Sequence, residues 1–264
     1  MKNTLIGLIC CMAMLDSCSS VALTGRRQLT AIPSSQMVML GEESYKKVLQ
    51  EQELSDNREY INQVNRVGSM ISDAVVKYLR QNEMEHRIET FRWEYSVIDS
   101  DALNAWCLPG GKIGFYEGIM PVCEDDNGVA AVMAHEIAHA IARHGNERLS
   151  QQLALQLGGM ALSVALEKEK ETTQQLAMLA FGIGSKVGVM LPYSRVHEKE
   201  ADEMGLYLMA MAGYDPRGAP EFWSRLQQYS QNPLPEFLST HPHPASRIRI
   251  LKKHMPRALD YYQN

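Results

Sequence analysis

His135-Glu136-Ile137-Ala138-His139 sits inside an apolar run, Val129 to Ile141, that reads as a buried helix. Residues four apart on a helix share a face. His135 and His139 can therefore point their imidazoles at one ion, with Glu136 beside them. Two nitrogen ligands and an adjacent carboxylate base form the H-E-x-x-H arrangement of a zinc hydrolase. The same letters also suit a helix with two hydrogen-bonded core histidines, so the rest of the chain has to decide.

A catalytic zinc takes three protein ligands and keeps one position open for water. Downstream, Ser194-Arg-Val-His-Glu-Lys-Glu-Ala-Asp202 reads as the start of a helix that Ser194 caps and Gly213 stops. Glu198 and Asp202 are four apart and share a face. Their spacing suits one carboxylate on the metal and a second, Asp202, accepting the free ring N–H of a ligand histidine. Glu200 is the rival ligand, about 160° from Asp202 on a helical wheel. A solvated acidic face is the bland reading of the same residues.

Upstream, Phe91 to Val97 alternates and is aromatic-rich, so it is expected as a strand. Pro109-Gly110 signals a turn, and Lys112 to Tyr116 reads as the next strand. Asp125 or Asp126 opens the H-E-x-x-H helix, where an acid suits the positive end of the helix dipole. Helical spacing covers Gln36 to Gln52, and a longer helix capped by Asp56 or Asn57 carries Ile61, Val64, Val67, Ile71, Val75 and Leu79 on one side. Leu149–Leu166 and Thr173–Val189 read as a helical hairpin that Pro192 ends, packed on the domain or serving as a lid or membrane-touching element. Asp215-Pro216 begins another helix, Pro233 and Pro235 mark an irregular stretch, and a last short helix ends near His254. The fold class expected is α+β, mainly helical, with a small β-sheet beside the active-site helix.

These stretches together resemble the gluzincin metallopeptidases that include HtpX, the Oma-type proteases and the CAAX prenyl proteases. H-E-x-x-H is followed by Glu198-x-x-Ala201-Asp202 on a later helix. Asn104-Ala-Trp-Cys-Leu-Pro-Gly-Gly-Lys-Ile113 is similar to the family's strand-turn element, with Trp106 and Cys107 as departures from its common wording. Tyr193-Ser194-Arg195 precedes the acidic motif as in the family, and Thr240-His241-Pro242, with Arg247 beyond, resembles its C-terminal element. The likeness spans roughly Gln36 to His254. It implies one zinc ion per chain, held by His135, His139 and Glu198, with Glu200 excluded. It also implies a place for His241 near the metal, polarising the developing oxyanion or occupying the open position as a fourth ligand in a latent enzyme. A peptide is expected to lie extended along the edge of the small sheet near Lys112, Ile113, Gly114 and Phe115.

The first residues read as a targeting segment. Lys2 supplies positive charge, and Leu5 to Leu15 is too short to span a bilayer. Leu15-Asp16-Ser17-Cys18 resembles a bacterial lipobox, so residues 1–17 are expected as a lipoprotein signal peptide, Cys18 as the lipidated residue and 18–35 as a polar tether. Residues 36–264 are expected as one metallopeptidase domain. Cys10 and Cys11 leave with the leader, so Cys107 and Cys123 are the pair that an oxidising compartment could join. Net charge is −5 with no long basic block, which argues against a nucleic-acid partner.

The function expected is a zinc endopeptidase of the cell envelope that cleaves unfolded or misassembled proteins. It would face the periplasm on a lipid anchor, in the outer membrane rather than the inner. The alternative is an outer-membrane assembly factor or chaperone whose peptidase site is silent.

Overall fold

The computed structural model describes residues 18–165, 186–229, 237, 241 and 244–263. The leader, the turn of the expected hairpin with Thr173 onward to residue 185, and Pro233 and Pro235 lie outside them. The chain divides into two compact units, residues 1–33 with 143–197 and residues 34–142 with 198–264.

The first unit begins with an antiparallel pair, β1 (Cys18–Ser20) and β2 (Arg27–Leu29). The stretch expected as a polar tether is thus ordered, with Val21 and Ala22 buried. It is fastened to helix α6 (His144–Ala165): Arg26 makes two bonds to Glu147 (3.0 and 2.7 Å), and the Ala31 amide donates to Ser150 Oγ (2.9 Å). Asn146 Nδ2 donates to the Ile32 carbonyl at 2.7 Å. Composition missed this because the partners are more than a hundred residues away. His144 and His197 are both buried and stack on one another, ring centroids 4.3 Å apart. His197 Nε2 lies 3.0 Å from Glu147. Burial opposes ionisation of Glu147, but His197 and Arg26 prevail and bring its pKa down to about 2.

In the second unit, α1 (Ser34–Glu51) and α2 (Arg58–Gln81) come first. Asn57 caps α2, its side chain accepting from the Glu59 and Tyr60 amides (3.1 and 3.3 Å). Such a cap contributes about 1 kcal/mol. Val64, Val67, Ile71, Val75 and Leu79 are each at most 1% exposed. Burying a side chain of that size contributes about 1.5–3 kcal/mol, and this stripe packs α2 on the H-E-x-x-H helix. Its polar rim is tied by Arg66 and Gln63 to Asp126 (2.8 and 2.9 Å).

A short α3 (Glu85–Ile88) leads into the sheet: β3 (Glu94–Ile98), β4 (Ala105–Leu108) and β5 (Lys112–Tyr116). The strand order is β3-β5-β4, with β3 parallel and β4 antiparallel to β5. The turn between β4 and β5 uses Gly110 and Gly111 at φ +91° and +83°, which a side chain would disfavour. Lys112 is buried in mid-sheet because its Nζ donates to the Arg92 carbonyl (2.9 Å) and pairs with Glu94.

Among the described residues, this unit also holds the α-helices α4 (Met120–Cys123), α5 (Asp126–Ile141), α8 (Gly218–Gln228) and α9 (Pro244–Gln263). It also takes α7 (Lys186–Met211) from Glu198 onward. Two boundaries differ from expectation. Helix α7 runs through Pro192 and Ser194, and α9 continues past His254 through Pro256 to Gln263. Proline disfavours but does not forbid a helix interior, and the buried Leu251 and Ala258, seven residues apart, keep α9 on the core. Gly205 lets α7 lie against α5. A Cβ there would sit 2.9 Å from His135 N and 3.0 Å from its Cα, and backbone atoms cannot yield as a flexible side chain can. Among the described residues, no helix is long and apolar enough to cross a membrane.

Candidate metal centre

Helix α5 starts where Asp125 caps it, accepting from the Gly128 amide at 2.9 Å. It is buried along most of its length, which places His135 and Glu136 in the interior at 2% and 4% exposure. Across from it, α7 presents Glu198 and Asp202, and the chain before α9 delivers His241. These side chains all belong to the second unit.

His135, His139, Glu198 and His241 each offer one donor atom, and the four atoms lie within 4.8 Å of one another. The individual separations are informative. His135 Nε2 is 3.1 Å from His139 Nε2, 3.4 Å from Glu198 Oε2 and 3.3 Å from His241 Nδ1. His139 Nε2 is 3.3 Å from Glu198 Oε1, and His241 Nδ1 is 2.8 Å from Glu198 Oε2. A tetrahedral zinc with bonds of about 2.0–2.1 Å holds its donors roughly 3.3–3.4 Å apart. Three imidazoles and a carboxylate at these spacings fit that ion. Glu200 is buried too but stands outside the group.

Glu136 is not a member of the donor set. Its Oε1 is buried without a hydrogen-bond partner and lies 3.5 Å from His241 Nε2. Burial raises its pKa, because the charged form is poorly solvated there. Glu198 behaves oppositely. Burial disfavours its charge, yet the imidazoles of His139, His135 and His241 hold it well below the usual carboxylate range. Asp202 sits behind the donor set, with Oδ1 3.4 Å from His135 Nδ1, so the ring it can orient is His135.

Two residues that sequence reasoning left without a role complete the site. Arg247 is 1% exposed, bonds both oxygens of Asp202 through Nε (2.9 and 3.0 Å) and lies 3.4 Å over the Trp223 ring. Trp223 in turn meets His135 edge-on, with ring centroids 6.1 Å apart. The resemblance placed Arg247 in a motif without a role, and its partners Asp202 and Trp223 come from other helices, which local sequence does not reveal.

Residues 64–255 match Peptidase family M48. The chain belongs to that family. Among its relatives, the mitochondrial metalloendopeptidase OMA1 of Schizosaccharomyces pombe is 37% identical over 169 residues, covering 63% of this chain and 48% of that protein. The human metalloendopeptidase OMA1 is 28% identical over 244 residues, 90% of this chain and 46% of that one. The beta-barrel assembly-enhancing protease of Escherichia coli is 28% identical over 209 residues, 75% and 42% respectively. The chain therefore spans less than half the length of each of these three relatives. The M48 cofactor is zinc, in keeping with the donor set above.

One expectation about the M48 cleft needs correction. Lys112, Ile113, Gly114 and Phe115 are not at an edge: β5 is the central strand, paired on both sides, and all four residues are buried. The outer strand on that side is β4. The Tyr116 amide donates to the Asn104 carbonyl, which sets the alternation of the antiparallel pair. By that alternation Ala105 and Cys107 turn their backbone groups away from β5, toward the outer edge. Side-chain periodicity could not reveal this, because strand order is a nonlocal property. Trp106 packs edge-on against Tyr45, at 6.1 Å between ring centroids, whereas the Cys107 thiol is close enough to Glu136 for that carboxylate, after burial, to raise its pKa. Cys107 and Cys123 are both free thiols.

Proposed function

We propose that this chain is a zinc-dependent endopeptidase of the cell envelope, cleaving unfolded or misassembled proteins. The observation that carries the reading is the convergence of His135, His139 and Glu198 beside a buried carboxylate, Glu136, with an oxygen left free. A zinc ion held by those three residues would supply Lewis-acid activation of a water, lowering its pKa toward ~7.

The chain's own residues do the rest. Glu136 Oε1 accepts the proton of the attacking water and returns it to the leaving amine. Its buried, weakly solvated carboxylate is a stronger base than an exposed one. Asp202 accepts the Nδ1–H of His135 and keeps Nε2 free as a donor atom. His241, with Nδ1 at 2.8 Å from Glu198, would be able to join the three ligands, so an incoming peptide has to displace it. Once displaced, the same imidazole can face the developing oxyanion. An extended peptide adds to the outer edge of β4, bonding Cys107 and the Ala105 carbonyl through the main chain and making little demand on sequence; the Ala105 amide already donates to Asn104 Oδ1 at 2.9 Å.

The envelope location rests on the lipobox-like Leu15 to Cys18 and on the name of the Escherichia coli relative, a protease that enhances β-barrel assembly. The lipid anchor is proposed at Cys18, in the outer membrane. Radiolabelled palmitate should enter the wild-type chain expressed in a Gram-negative host and not the Cys18→Ser variant. Equal labelling of both would remove Cys18 as the anchor.

Purified protein should cleave casein, lose that activity on chelation and regain it with added zinc. Cleavage that persists in excess chelator would refute the metal-dependent reading.

A further inference from the structure

Glu198 and Asp202 lie one helical turn apart on α7, 7% and 2% exposed. Like charges at that spacing repel, and burying a carboxylate without a counter-charge is strongly unfavourable. Arg247 meets both of them. Its Nε bonds the two oxygens of Asp202, its Nη2 reaches Asp202 Oδ1 at 2.5 Å, and its Nη1 stands 3.4 Å from Glu198 Oε2. Nη1 is buried with no hydrogen-bond acceptor. It is a spare donor within ion-pair reach of the Glu198 carboxylate but not hydrogen-bonded to it.

We infer that Arg247 is a positioning residue that holds Glu198 and Asp202 in place beside the His135–His139 pair before any metal arrives, so that the site is assembled in the metal-free protein. The inference rests on the proposed zinc reading of the site.

Three features support a fork rather than a point charge. The guanidinium is planar and can engage one carboxylate along one edge while presenting a further donor to a second. Stacking at 3.4 Å on Trp223 fixes that plane, and Trp223 is itself 2% exposed and in contact with Phe222 and Phe237 at centroid distances of 5.3 and 5.5 Å. Arg247 Nη2 also lies 2.8 and 3.0 Å from the two ring nitrogens of His135. A donor nearly equidistant from both nitrogens of one imidazole lies on neither lone-pair axis. Arg247 therefore does not take Nδ1 from Asp202, and the His135 tautomer is left to the carboxylate.

A buried arginine on a tryptophan could instead be a packing residue and nothing more. The two roles differ in what they do to zinc. A packing role lowers the melting temperature of the metal-free and zinc-bound protein together and leaves zinc affinity unchanged. A positioning role weakens zinc binding itself, because each carboxylate must then be ordered at the moment of binding.

The test is zinc affinity by competition with a chromogenic chelator, on the full chain, for wild type, Arg247→Lys and Arg247→Ala. Both variants should bind zinc about 10–100-fold more weakly, the usual effect of losing a partner behind a metal ligand. Millimolar guanidinium should partly restore affinity in Arg247→Ala and not in Arg247→Lys. Wild-type affinity in both variants overturns the inference while leaving the zinc site standing. Failure of the wild-type chain to bind zinc would instead remove the proposed function. If neither variant folds, a crystal structure of metal-free wild-type protein decides. Glu198 should be found within the same reach of His135, His139 and Arg247, and a Glu198 swung away from them overturns the inference.

Discussion

Glu136→Gln is expected to abolish proteolysis, with kcat reduced about 10²–10⁴-fold, the range assigned to a positioned general base. Zinc content should stay at the wild-type level. Glutamine keeps the shape of the side chain but cannot take a proton from water. Glu136 stands outside the donor group, so the His135–His139–Glu198 arrangement does not depend on its charge. Its free oxygen is buried, and among the described residues the 3.5 Å approach of His241 Nε2 is its closest ion pair. Replacing a weakly paired buried carboxylate by a neutral amide should leave the melting temperature unchanged or raise it. Measured turnover of casein within a few-fold of wild type, at full zinc occupancy, would show that another group takes the proton.

Glu198→Ala is expected to strip the metal. The loss in zinc affinity should exceed the roughly 10–100-fold that accompanies loss of an outer partner, because the carboxylate itself is the donor. It contributes both oxygens to the cluster, one near His139 and the other near His135 and His241. Removing it also leaves Arg247 Nη1 without its nearest carboxylate. The control is Glu200→Ala on the same helix, which should keep its zinc. Metal analysis of the purified proteins discriminates: full occupancy in Glu198→Ala, or loss in Glu200→Ala, would reassign the third ligand.

Local features of this chain were readable from its order of residues. The i, i+4 spacing of His135 and His139 placed both imidazoles on one helix face, and a 3.6-residue period requires nothing from the rest of the molecule. The same holds for Glu198 and Asp202. A cap at Asp56 or Asn57 was recognisable because a cap acts within three residues, with Asn57 taking the role, and Lys112–Tyr116 as a strand because it follows a turn signal directly. The resemblance to other metallopeptidases added His241, which no periodicity would have singled out.

What escaped were relations between distant segments. The central position of β5 takes Lys112–Phe115 away from the edge of the sheet, since strand order depends on which strands find each other after the chain has folded back. The ordered β1–β2 pair escaped because Arg26, Ala31 and Ile32 take their partners from α6. The length of α9 escaped because the packing of Leu251 and Ala258 outweighs the local preference of Pro256.

The chemistry was therefore written into short-range order. Two imidazoles, the carboxylate between them and a further pair of carboxylates are set by helical geometry, which acts over single turns. Their assembly into one centre was not. It required Gly205 to bring α7 within backbone contact of α5, and Arg247, from a third helix, to stand beside both buried carboxylates. Close approach and charge compensation are properties of segments far apart in the chain, and they exist only once the packed interior has excluded water.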